Sequence, residues 1–122
     1  DRRCTAHMKQ FGAALAKGWS LGLQFYTQLH DGTYFAITKR ADEYAVRIRQ
    51  AFRQKGIEEL VVSPTHQQFI ILSRAQAQAL ESKYIFEAMG PVDDDHVCVR
   101  VCTSWSTKAE EVDQLVADIL NL

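Results

Sequence analysis

The 122 residues carry no surplus of either charge: 14 Lys and Arg stand against 15 Asp and Glu, a net of −1. A protein that grips a phosphate backbone relies on clustered cations, so a nucleic-acid partner is not expected. No apolar run approaches the ~18 residues of a bilayer-spanning helix and no signal peptide opens the chain, which argues against a membrane partner. Cysteine is scarce and odd in number, with Cys4, Cys98 and Cys102. Three do not make a disulfide framework, and the expectation is reduced thiols packed as small hydrophobes in a cytoplasmic protein. Cys98 and Cys102 lie four residues apart, ~13 Å along a strand, and no nearby His completes a set, so no metal site is expected.

The parts of a catalyst are also missing. His7, His30, His66 and His96 are scattered without metal-like spacing. Asp93-Asp94-Asp95 lacks the alternating ligands and glycine of a calcium loop and reads as a charged turn. There is no phosphate-cradling glycine loop and no arguable Ser/His/Asp or Cys/His set. None of the six lysines stands in an apolar strand that would suit Schiff-base chemistry.

What is present is ordinary globular material, 47% apolar and 24% charged, in a length that suits one domain. Met8, Phe11, Leu15, Trp19, Leu23, Tyr26 and Leu29 recur at steps of three and four, which predicts one long amphipathic helix over 5–29. Gly12, Gly18 and Gly22 inside it suggest close approach of another backbone. Thr33–Thr38 alternates like a strand, and Ala41, Tyr44, Ala45, Ile48, Ala51 and Phe52 predict a second helix closed by Lys55-Gly56. Glu58–Val62 and Gln67–Leu72 read as strands around Ser63-Pro64-Thr65, and Ser73 caps a helix to about Ser82. Lys83–Ala88 reads as extended and broken by Met89-Gly90-Pro91; Val97–Cys102 is the clearest strand. Thr107 with Glu110 predicts a capping box for the last helix. The order α-β-α-β-β-α-β-β-α implies an α+β domain: a small, mostly antiparallel sheet with helices packed on one face, preceded by a long N-terminal helix over 1–30.

In the strand Val97–Cys102, Val97, Val99 and Val101 point one way and Cys98, Arg100 and Cys102 the other. Arg100 keeps its proton, so in apolar surroundings it must find an anion or stay solvated. Two readings stand: an internal pair with an Asp or Glu, or a ligand carboxylate held bidentately. The hydroxyls of Thr103, Ser104 and Ser106 either form a second polar shell or simply make the turn that follows.

Four segments, Met8–Phe25 (MKQFGAALAKGWSLGLQF), Asp31–Phe35 (DGTYF), Ser63–Phe69 (SPTHQQF) and Val99–Trp105 (VRVCTSW), together resemble the C-terminal portion of threonine aldolase-family enzymes. These are pyridoxal-phosphate (PLP) proteins of the aspartate-aminotransferase fold type, also classed as β-eliminating lyases. The resemblance covers nearly the whole chain in order. It implies that the chain is part of a longer protein whose PLP-binding domain lies upstream of Asp1, and the start at Asp1 rather than Met suggests the same. It further implies that Arg100 binds the substrate α-carboxylate, while the Schiff-base lysine lies outside these residues. The implied reaction is retro-aldol cleavage of a β-hydroxy amino acid to glycine and an aldehyde. No PLP is expected on this chain alone, and the expected partners are an amino-acid substrate, the PLP domain and further copies of the protein. His66 stands where the family has Asn, and Trp19 where a basic residue is usual. The alternatives are a standalone ligand-binding or oligomerisation module, or a PLP enzyme of this fold with another reaction.

Overall fold

The computed structural model describes residues 2–122. In chain order the elements are α1 (Arg2–Gln10), α2 (Gly18–Leu29), α3 (Thr33–Gln54), β1 (Glu59–Val61), β2 (Gln67–Ser73), α4 (Arg74–Glu81), β3 (Glu87–Pro91), β4 (His96–Cys102) and α5 (Ala109–Leu120). They fall into two compact units, one ending at Phe35 and the other running from Ala36 to Leu122.

In the first unit, the single long helix expected over 5–29 is two helices. Gly12 is the reason. It sits at φ +69°, and the Gly12 and Ala13 amides donate to the Lys9 and Met8 carbonyls at 3.2 and 2.8 Å. That is the Schellman ending, with a left-handed glycine just past the last helical turn. Neither α1 nor α2 has a buried residue.

The expected strand at Thr33–Thr38 is instead the first turns of α3. The Asp31 carboxylate accepts the Thr33 N–H at 3.0 Å, giving one of the four orphan donors at the helix start a partner. From there each added residue gains a hydrogen bond, which outweighs the weak strand preference of Thr, Tyr, Phe and Ile. At its other end α3 stops as expected. Gly56 takes φ +70°, and the Gly56 and Ile57 amides close on Arg53 and Phe52.

The second unit holds a four-stranded sheet in the order β1-β2-β4-β3, with every neighbouring pair antiparallel. This is the expected α+β arrangement. Ser73 begins α4 through a capping box, accepting from the Gln76 amide at 3.2 Å while its own amide donates to the Gln76 side chain at 2.9 Å. Met89-Gly90-Pro91, expected as a break, belongs to β3. The register slips between Ala88 and Gly90, with Gly90 at φ +127°, so the break signal marks a bulge. Pro91 is tolerated because β3 is an edge strand. At α5 the Thr107–Glu110 box is not formed. The Lys108 amide donates to Glu111 at 3.3 Å, and the Thr107 hydroxyl accepts from the Ser104 amide at 2.9 Å.

One core binds the second unit. Ile48, Ala51 and Phe52 of α3, Ala77 and Leu80 of α4, and Val112, Leu115 and Ile119 of α5 meet Ile70, Leu72, Val99 and Val101 of the sheet. Alternation then assigns the faces: Val99 and Val101 point toward the helices, so Cys98, Arg100 and Cys102 point away.

Candidate functional site

Arg100 sits near the middle of β4, a strand flanked on both sides, and is directly opposite Phe69 of β2 and Glu87 of β3. Paired residues share a face, so Gln67, Phe69 and Ile71 line up beside Cys102, Arg100 and Cys98 on the side away from the core helices. The strand's position in the sheet, more than any local turn, aims the guanidinium.

Arg100 has an acidic neighbour. Its Nη2 donates to Glu87 Oε2, and the two side chains are 30% and 58% exposed. The internal-partner reading of Arg100 therefore describes what the fold contains. The pair is nevertheless incomplete: Glu87 engages one nitrogen, and Arg100 Nε is buried with no hydrogen-bond partner. Glu87 was missed at the sequence level. Its segment reads as extended, but nothing local reveals that it pairs with position 100.

The turn after β4 is held at both ends. Buried Thr103 donates its hydroxyl to the Ala41 carbonyl at 2.7 Å, tying the end of β4 to α3, and its amide donates to the His66 carbonyl at 3.1 Å. Ser104 and Ser106 bond to each other and to the turn's own backbone, so these hydroxyls build the turn and are not aimed at Arg100. The Ser63–Thr65 turn is held from below. Arg49 Nη1 donates to the Ser63 carbonyl at 2.7 Å and buried Gln68 donates to the Thr65 carbonyl at 2.7 Å.

The other residues singled out in the sequence stay apart. His96 packs on Asp93 at 2.9 Å, and this hydrogen bond, with the backbone amides of Asp95 and His96, holds the Asp93 carboxyl below its ordinary range. A cavity of 490 Å³ touches both, together with Lys55, Ser73 and Gln76, but Asp93 and His96 bond to each other, and the Ser73 and Gln76 side chains each accept from the other residue's backbone amide. His66 and His7 are exposed. Cys98 is buried, and burial pushes its thiol up; Cys102 and Cys4 are exposed, so only one of the three is packed as a small hydrophobe. Among the described residues no three His, Cys, Asp or Glu side chains converge on a metal-sized site, and no helix is long and apolar enough to cross a membrane.

All six lysines are exposed, and Lys83 is engaged by Asp118 at 2.9 Å. A Schiff-base nitrogen needs a desolvated or otherwise tuned setting, so the residues of this chain do not fit PLP.

No family model and no curated protein matches the chain. Among solved structures it is similar to Leishmania major threonine aldolase, with a TM-score of 0.84 and 29% identity over 93% of this chain. It is also similar to Sphingomonas wittichii serine palmitoyltransferase, with a TM-score of 0.55 over 70% of this chain. At 18% identity the second likeness shows the fold alone. The chain spans 33% of the length of the threonine aldolase and 24% of the palmitoyltransferase. By fold and coverage the chain matches about a third of the Leishmania threonine aldolase, a likeness consistent with a C-terminal domain of that kind of PLP-dependent, fold-type I enzyme.

Proposed function

We propose that the chain is the substrate-carboxylate domain of a PLP-dependent lyase that cleaves β-hydroxy amino acids to glycine and an aldehyde. The observation that carries this reading is Arg100, a permanent cation held in a central strand and aimed away from the core, within a domain similar over 93% of its length to a threonine aldolase. A guanidinium in such a place suits a carboxylate, which it can hold with two parallel hydrogen bonds. Fixing the carboxylate fixes the rest of a small amino acid, which is how a binding group contributes to rate without touching the reacting bond. PLP supplies the electron sink in enzymes of this kind. In this reading the cofactor and its lysine belong to the remainder of the longer protein. The exposed apolar side chains of α1, α2 and the segment between them, among them Phe11, Trp19 and Phe25, face that remainder in the assembled, homo-oligomeric, cytoplasmic enzyme.

The test is Arg100→Lys in the intact, PLP-loaded protein. Lysine keeps the charge but loses the planar fork. Cutting one side of a buried charged pair costs ~2–5 kcal/mol, or roughly 30-fold to several thousandfold in kcat/KM. The expected result is that loss with PLP content unchanged. Wild-type kinetics in the variant would remove Arg100 from the site. The chain alone is expected to show no aldolase activity and no saturable PLP absorbance.

A further inference from the structure

We infer that Glu87 is a resident competitor for the carboxylate site on Arg100, an internal acid that a substrate carboxylate must displace. The inference rests on the reading of Arg100 given above. A guanidinium offers a carboxylate two forks, Nη1 with Nη2 and Nε with Nη2. Both include Nη2, and Nη2 is the atom that Glu87 holds. Nη2 carries one N–H into each fork, so a second carboxylate either displaces Glu87 from its fork or enters the other with both acids crowded on one nitrogen. Two like charges ~4 Å apart repel by ~1 kcal/mol in water and by more where the surroundings are drier. The two acids compete for the same nitrogen.

Glu87 is suited to yielding. It lies at the start of β3, an edge strand that pairs only with β4. Its side chain is 58% exposed, so on release it is rehydrated at little cost. The next register irregularity falls just beyond, between Ala88 and Gly90, so few further ladder bonds pin this end of the strand. Arg100, by contrast, lies on a strand paired on both sides. Glu87 is thus a specificity and affinity determinant: it gives the cation a partner when no substrate is bound, and it sets how tightly a carboxylate must bind to replace it.

The experiment compares Glu87→Gln and Glu87→Ala with the parent in the intact PLP-loaded protein, using glycine binding and the steady-state kinetics of β-hydroxy amino acid cleavage. The expected result is that the glycine Kd and the substrate KM both fall at least threefold, with kcat changing less than KM. A purely structural pair would instead lower thermal stability and leave KM unmoved or raised. Unchanged or weaker glycine binding in both variants, in a protein where Arg100→Lys is crippled, overturns the competitor role and leaves the carboxylate site standing. If Arg100→Lys itself leaves KM and kcat intact, the failure belongs to the site and not to Glu87.

Discussion

Tyr84 and Asp118 show how single side chains contribute to the pH dependence of this fold. The Tyr84 hydroxyl donates to Asp118 Oδ2 at 2.7 Å while Lys83 Nζ holds Oδ1 at 2.9 Å. Burial first, then the hydrogen bond and charge of Asp118, push the Tyr84 hydroxyl up to about 12. The Lys83 and Tyr84 hydrogen bonds hold the Asp118 carboxyl below its ordinary range. The two shifts act at opposite ends of the pH scale. The Tyr84 contribution is complete below the ordinary tyrosine value of ~10 and is lost as pH rises through about 12. The Asp118 contribution is complete above the ordinary carboxyl range and is lost as pH falls through its lowered value. In Tyr84→Phe the alkaline loss is expected to shrink, and tyrosinate absorbance at high pH to lose its latest-titrating component. The acid limb should be shallower too, since Asp118 loses one of its three side-chain donors, keeping Lys83 and Gln114. An alkaline limb identical to the parent's would show that Tyr84 is not buried against Asp118 in solution.

At the scale of elements, the features legible in the sequence are those whose cause is local. Lys55-Gly56 ends α3 because a left-handed residue is needed there, and Ser73 starts α4 because its hydroxyl reaches the Gln76 amide. The same vocabulary misleads where two local readings compete. Gly12 reads as a small residue inside a long helix but is the left-handed residue ending a short one. Thr33–Thr38 has strand composition but follows Asp31, which accepts the first helical amide. Gly90-Pro91 reads as a stop but makes a bulge on an edge strand. The Arg100–Glu87 contact was not legible at all, because it depends on the β3–β4 register. The choice of face was legible, since alternation along Val97–Cys102 alone places Arg100 opposite the valines. The cap at Gly56 gives a clean test. A Cβ at this position would meet nothing within 4 Å, so Gly56→Ala carries only the conformational cost of a left-handed alanine, about 1–2 kcal/mol. Urea denaturation is expected to show that loss as a lower midpoint with an unchanged slope. Loss of helix content beyond the last turn of α3, or a changed slope, would mean that the cap does more than end the helix.

Across the whole molecule, stability and exposed apolar surface are segregated along the chain. Among the described residues every buried apolar side chain lies between Ala41 and Ile119, whereas α1 and α2 bury nothing. Nine large apolar residues from Met8 to Leu29 are exposed, including Phe11 at 79% and Trp19 at 71%. A soluble surface tolerates scattered apolar side chains, but helices with none buried gain little from folding beyond their own hydrogen bonds, and segments of 9 and 12 residues are too short to be stable that way in water. The cut that separates the two regimes falls before Asp31, because that carboxylate belongs to the start of α3. A protein beginning at Asp31 is therefore expected to retain the cooperative unfolding of the longer chain, with Tm shifted by less than the ~4 °C that corresponds to about 1 kcal/mol in a domain of this size. Its helical signal should fall only by what α1 and α2 supply. If truncation at Asp31 instead abolishes cooperative unfolding, the core around Phe52, Leu72 and Val99 is not self-sufficient. The sheet that aims Arg100 would then need the N-terminal helices to hold its shape.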